Sequence, residues 1–160
     1  MNQLNRLGAL FGAMLLSSSV LAGGIQVEGA WSRATAPGQD AAMVDMTITS
    51  DKDAKLVGFS SSSCKSAELH SMTHEHGMMK MREVKSVVLP AGKRVNLGEQ
   101  GYHLMLIGLQ VPLKEGERLP LTLNIKSGNE TQVYVDVVAE VKPLTQSAPK
   151  QGEHRHHMSH

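Results

Sequence analysis

Apolar residues recur on alternate positions along most of this chain. From Arg118 to Lys126, Leu119, Leu121, Leu123 and Ile125 alternate with Pro120, Thr122 and Asn124, and from Thr131 to Ala139 the pattern repeats with Val133, Val135 and Val137. A period of two puts one face of an extended strand into a core and leaves the other outside, so both stretches read as strands. Ser127-Gly128-Asn129 between them has turn chemistry and predicts a hairpin. Shorter runs predict strands over 25–31, 42–49, 56–60, 67–72, 79–88, 94–97 and 103–109, and Pro90-Ala91-Gly92 reads as a second hairpin turn. No window of ten or more residues carries an amphipathic helical stripe, and no internal repeat is visible. Many short strands between turns predict an all-β domain, an antiparallel β-sandwich or barrel.

Both ends depart from this pattern. Residues 1–22 carry one charge (Arg6), an apolar stretch from Leu7 to Leu16, and small residues up to Ala22. That order is the one a signal peptidase reads, and the apolar run is too short to span about 30 Å of hydrocarbon. A secretory signal cleaved near Ala22 is expected, with the rest of the chain exported and no stable membrane insertion. From Lys142 the sequence reads KPLTQSAPKQGEHRHHMSH, with little apolar content to offset ordering entropy. The expected organisation is therefore a signal peptide (1–22), a folded β domain (23–141) and a flexible His/Met-rich tail (142–160).

Composition then narrows the chemistry. The 160 residues hold 16 Lys+Arg against 15 Asp+Glu, so there is no basic footprint for nucleic acid. A single cysteine excludes an intrachain disulfide, a thiolate zinc site and a CxxC redox pair. What stands out is 10 Met and 8 His beside only five aromatic residues, Phe11, Trp31, Phe59, Tyr102 and Tyr134. Methionine is a common gap filler in cores, and Met43 and Met46 are read that way here.

The remaining His and Met residues concentrate between Leu69 and Leu106. His70 and Met72, Met79 and Met81, and His103 and Met105 are each two apart on predicted strands, so each pair shares a face. A loop from Thr73 to Met78 would fold one of these strands back on the next and bring His70 near Met81. Thioether sulfur is soft, uncharged and poorly suited to Zn²⁺, Mg²⁺ or Ca²⁺, whereas it suits Cu(I), and imidazole accepts copper in either oxidation state. In an oxidising compartment thioethers also survive where thiolates would be consumed. The pattern points to a copper site.

The residues that carry this pattern resemble the periplasmic copper chaperones called PCu(A)C. That family's spacing is a His, ten residues, a Met, twenty-one residues, a His, one residue and a Met, and His70, Met81, His103 and Met105 reproduce it. Ala30-Trp31-Ser32-Arg33, Glu68-Leu69-His70, Gly77 to Arg82, Leu89 to Gly92 and Gly101 to Leu106 add to the similarity. The resemblance implies a cupredoxin-like β-sandwich that binds Cu(I) through His70, Met81, His103 and Met105. It also implies a carrier without catalysis, passing copper to an acceptor such as the Cu(A) domain of cytochrome c oxidase or another copper chaperone. Cys64 matches no ligand of the family; its even separation from His70 could put it on the ligand face of a straight strand, although packing is the expected role. Met72, His74, His76, Met78 and Met79 are candidate auxiliary donors, with a solvated loop as the favoured alternative.

His154, His156, His157, Met158 and His160 form a second candidate site, in which imidazoles would suit Cu(II). Two other functions remain open at this point. A periplasmic copper buffer conferring tolerance would rely more on the tail, and an electron-transfer cupredoxin would need a Cys thiolate with two His, for which Cys64 lacks the usual downstream spacing.

Overall fold

The computed structural model describes residues 19–98 and 101–144. Within them lie eleven β-strands and no helix: β1 (Ser19–Ala22), β2 (Ile25–Arg33), β3 (Ala41–Ser50), β4 (Ala54–Ser60), β5 (Cys64–Glu75), β6 (Met78–Glu83), β7 (Val87–Leu89), β8 (Arg94–Leu97), β9 (Tyr102–Leu109), β10 (Arg118–Ser127) and β11 (Gln132–Lys142). Hydrogen bonding follows the order β6-β5-β9-β3-β2-β11-β10-β4-β7, with β1 on β2 and β8 on β3 as side branches. The strand pairs are antiparallel except β2 with β11, which run parallel over Trp31–Arg33 and Glu140–Lys142. The fold is the all-β architecture expected, with that one parallel junction as the departure from a purely antiparallel sandwich.

One core explains the arrangement. Leu104 and Leu106 of β9, Val44 and Ile48 of β3, Leu56 of β4, Leu123 and Ile125 of β10 and Val135 of β11 are all fully buried in a single cluster. Strands from both ends of the hydrogen-bonded path thus turn one face inward onto the same apolar interior, which is what makes a sandwich of a continuous path. β2 is the hinge between the layers. Its register with β3 shifts between Glu28 and Trp31, where Gly29 adopts φ 61°, so its first half pairs with β1 and β3 and its last residues reach β11.

Several sequence expectations are adjusted by this topology. The stretch 79–88 is not one strand: β6 stays on β5, the chain breaks after Glu83, and β7 crosses to β4. Pro90-Ala91-Gly92 does form a turn, closed by the Lys93 amide donating to the Pro90 carbonyl at 3.1 Å. It joins β7 to β8, however, and these pair with β4 and β3, so the turn carries the chain between layers and is no hairpin. The Ser127 hairpin is formed as expected. Ser19–Ala22, the end of the expected signal segment, pairs with β2 as β1; residues 1–18 and the tail from 145 onward lie outside the described residues.

Cys64 takes the packing role expected for it, and not the alternative place on the ligand face of a straight strand. It pairs with Leu109 on β9 in unbroken register, but Lys65 and Ser66 after it are both exposed, so the in–out alternation counted back from Leu69 and His70 is interrupted on β5 itself. The thiol consequently lies in the apolar cluster and not with His70. Burial pushes its pKa above the ordinary thiol value, with backbone hydrogen bonds opposing this more weakly. The thiolate is the reactive form, so in the folded protein at pH 8 Cys64 should react far more slowly with a disulfide reagent than in the protein unfolded by guanidinium. Equal rates in the two states would place it outside the core.

Candidate metal centre

β9 places the site. Its core face is Leu104 and Leu106, both fully buried, so His103 and Met105 emerge on the opposite face of the sheet. β9 lies between β5 and β3, and the register aligns residues in rows across these strands. In one row His103 faces His70 on β5, and His70 faces Glu83 on β6. In the next, Met105 lies between Glu68 on β5 and Met43 on β3. Directly opposed residues on paired strands have Cβ atoms about 5 Å apart, so each row is compact enough for its side chains to share one small ligand.

The β5/β6 hairpin brings in the fourth predicted residue. β5 continues to Glu75, and Glu75 pairs directly with Met78, so the expected loop 73–78 shrinks to the two residues His76 and Gly77. Both have positive φ, 52° and 77°, as a tight type I′ hairpin turn requires. Glycine reaches that region without a Cβ penalty, and His is among the residues that tolerate it. The tight turn fixes Met81 opposite Met72 and His74 opposite Met79. Met81 is therefore diagonal to His70, not facing it. β6 is exposed along its whole length, and Glu75 clamps it from the other face through Arg82 at 3.0 Å and Lys80 at 3.3 Å.

Of the auxiliary candidates, Met72, His74 and Met79 share the face with the four predicted residues. Met78 pairs with Glu75 on the reverse side, and His76 sits in the turn. The tail residues His154, His156, His157, Met158 and His160 lie outside the described residues.

The two histidines differ in environment. His70 has its Nε2 2.8 Å from Oε2 of Glu68, while its Nδ1 is buried without a hydrogen-bond partner. A carboxylate only accepts, so the proton belongs on Nε2, and the Nδ1 of a neutral ring is left as a free lone pair. The same hydrogen bond holds the Glu68 carboxyl below its ordinary pKa, with a smaller contribution from Ser66. His103 is itself buried, and its Nδ1 lies 2.8 Å from the sulfur of Met43.

Met43 corrects a sequence expectation. A place in the core beside Met46 is expected for it; Met46 is buried, but Met43 is 37% exposed and points to the His103 side. The signal lies in the parity of β3, since Ala42, Val44, Met46 and Ile48 form the inward series and 43 falls between them.

Among the described residues, no three His, Cys, Asp or Glu side chains come together closely enough to hold a metal ion. The rows that hold His70 and His103 and those beside them also carry methionine sulfur, which suits soft ions.

A family described as "Putative lipoprotein LpqE-like" matches residues 25–137. A "Putative lipoprotein Lxx21020" of Leifsonia xyli subsp. xyli is 38% identical over 117 residues, 72% of this chain and 70% of that one. Among solved structures, the solution structure of CuI-DR1885 from Deinococcus radiodurans is 35% identical with a TM-score of 0.54, covering 71% of this chain and 75% of that one. The apo PCuAC domain from PmoF1 is 25% identical with a TM-score of 0.61, covering 78% and 99%. The copper-bound PCuAC domain from PmoF2, at 22% identity and a TM-score of 0.61, covers 79% and 98% and shares the fold.

Proposed function

As a member of the LpqE-like family, related to the PCuAC domains, this chain is, we propose, an exported copper carrier that binds Cu(I) through His70, Met81, His103 and Met105. The observation that carries the reading is the His70/His103 pair, opposed across β5 and β9, with the buried Nδ1 of His70 lacking any partner and thioethers in the adjoining rows. A solved relative named as a Cu(I) form, CuI-DR1885, supports the choice of metal.

The chemistry follows from the donor set. Two neutral imidazoles and two thioethers leave the bound ion its single charge, which suits Cu(I) and disfavours Cu(II). Glu68 holds the Nε2 proton of His70 and so aims Nδ1 at the metal, the role that carboxylates play behind metal-binding histidines in general. His103 and Met105 sit on a central strand and hold the ion, whereas Met81, 45% exposed on edge strand β6, is the donor an incoming ligand displaces first. A stronger sulfur donor on an acceptor protein then takes the copper by ligand exchange, with no covalent chemistry and no catalysis. We assign the Cu(A) domain of cytochrome c oxidase, or another copper chaperone, as that acceptor, and the periplasm as the compartment. The burial of Cys64 in the core argues against an electron-transfer cupredoxin, which needs a thiolate beside its two histidines.

Replacing His103 and Met105 together by Ala should abolish tight Cu(I) binding in competition with a Cu(I) chelator while circular dichroism remains that of the β fold. Unaltered affinity would sink the site. In transfer to an apo Cu(A) domain, wild type should metallate the acceptor and Met81→Ala should do so detectably less well; equal transfer would mean that delivery does not pass through this site. For the tail, deletion of residues 152–160 should lower the Cu(II) stoichiometry and leave Cu(I) at the core site, as read by titration. Unchanged Cu(II) uptake would remove the tail from copper binding and with it the main support for a buffering role.

A further inference from the structure

We infer that Met43 is an additional thioether ligand of the copper site, supplied by β3 from the side opposite Met81. The inference rests on the copper reading above and extends it to a residue outside the four-residue pattern.

Three observations place the Met43 side chain. The alternation of β3 sends Ala42, Val44, Met46 and Ile48 into the core and leaves Met43 on the outer face, 37% exposed and outside the core cluster. Its register partner is Met105, so the two thioethers stand side by side on adjacent strands. Its sulfur lies 2.8 Å from Nδ1 of His103. The backbone is fixed as well: the fully buried Ser32 donates its hydroxyl to the Met43 carbonyl at 2.8 Å, tying this point of β3 to β2.

Sulfur and imidazole nitrogen so close together converge on a common point. With bonds to a d¹⁰ ion of about 2.0 Å for nitrogen and about 2.3 Å for sulfur, two ligands at a tetrahedral angle stand about 3.5 Å apart. Met43 has only to swing outward by a fraction of an ångström to admit the ion. Its three side-chain torsions allow that, and a cleft of about 170 Å³ beside it, bordered by Gln39, Asp45 and Leu144, gives the room.

Met43 and Met81 then have different roles. Met43 sits on a strand paired on both sides, β9 on one and β2 on the other, while Met81 is on the exposed edge. When Met81 yields its place to an acceptor's donor, Met43 keeps sulfur on the ion beside His103 and Met105. The bound copper then keeps four protein ligands, His70, His103, Met105 and Met43, until the acceptor has made its own bond, where the four-residue site alone would be left with three.

The test uses protein labelled with ¹³C at the methionine methyl groups, titrated with Cu(I) under ascorbate, with resonances assigned by single Met→Leu substitution. The Met43 methyl should shift together with those of Met105 and Met81 and saturate at one equivalent. Met43→Leu, close to the original in volume, should lower Cu(I) affinity in chelator competition by at least about tenfold, as loss of even an indirect partner of a metal ligand commonly does. X-ray absorption of the variant should also count fewer sulfur neighbours. If affinity falls but the sulfur count and the wild-type Met43 methyl are unchanged, Met43 is only a hydrogen-bond partner of His103 and the inference is wrong. Movement of Met105 and Met81 without Met43 overturns it likewise, leaving the copper reading intact, whereas a titration that moves none of the three methyls overturns both.

Discussion

The pleat of β9 is the constraint on which the rest of the site depends. Leu104 and Leu106 must enter the core, because both are fully buried among the interior residues of β3 and β5. With them fixed, His103 and Met105 have no choice of face: a one-residue slip would put an imidazole into the apolar interior and two leucines into water. The hydrophobic effect that stabilises the sandwich thus also orients the side chains proposed to bind copper, although they contribute little to it themselves.

The same device recurs on the neighbouring strands. Leu69 anchors β5 so that Glu68 and His70 point outward, and Val44 anchors β3 so that Met43 does. Edge and centre are then used differently. The central strands hold candidate donors whose backbones are paired on both sides, while the β5/β6 hairpin extends past the core and presents Met81 on an exposed edge held by one partner strand and by the Glu75 ion pairs. In the proposed carrier, retention and release fall to different parts of one sheet.

Much of this is legible in the order of residues. Period-two apolar runs identify the strands around Leu121 and Val135, and the spacing of His70, Met81, His103 and Met105 singles out the proposed donors. The positions that differ from expectation share a cause, which is that local character hides phase. The loop at Thr73 to Met78 looks six residues long because polar residues fill it, yet His76 and Gly77 alone can turn the chain. Cys64, expected to pack, does so although simple parity puts it in phase with His70, because Lys65 and Ser66 are both exposed and the alternation breaks between them and Cys64. Met43 looks like core filler because methionine is apolar, although its phase against Val44 places it outside.

Sequence alone, then, is enough to say which residues face in and which face out within each regular strand, because that follows from the pleat and the apolar pattern. It also makes a soft metal the fitting ligand, since that depends on donor atoms and not on their positions. Which strands are neighbours, and in what register, is a property of the tertiary structure: His70 against His103, Met81 diagonal to His70, and Met43 beside Met105. Those pairings join residues as far apart as 43 and 105, and they are set by how the whole apolar core closes, an outcome that no local run of residues encodes.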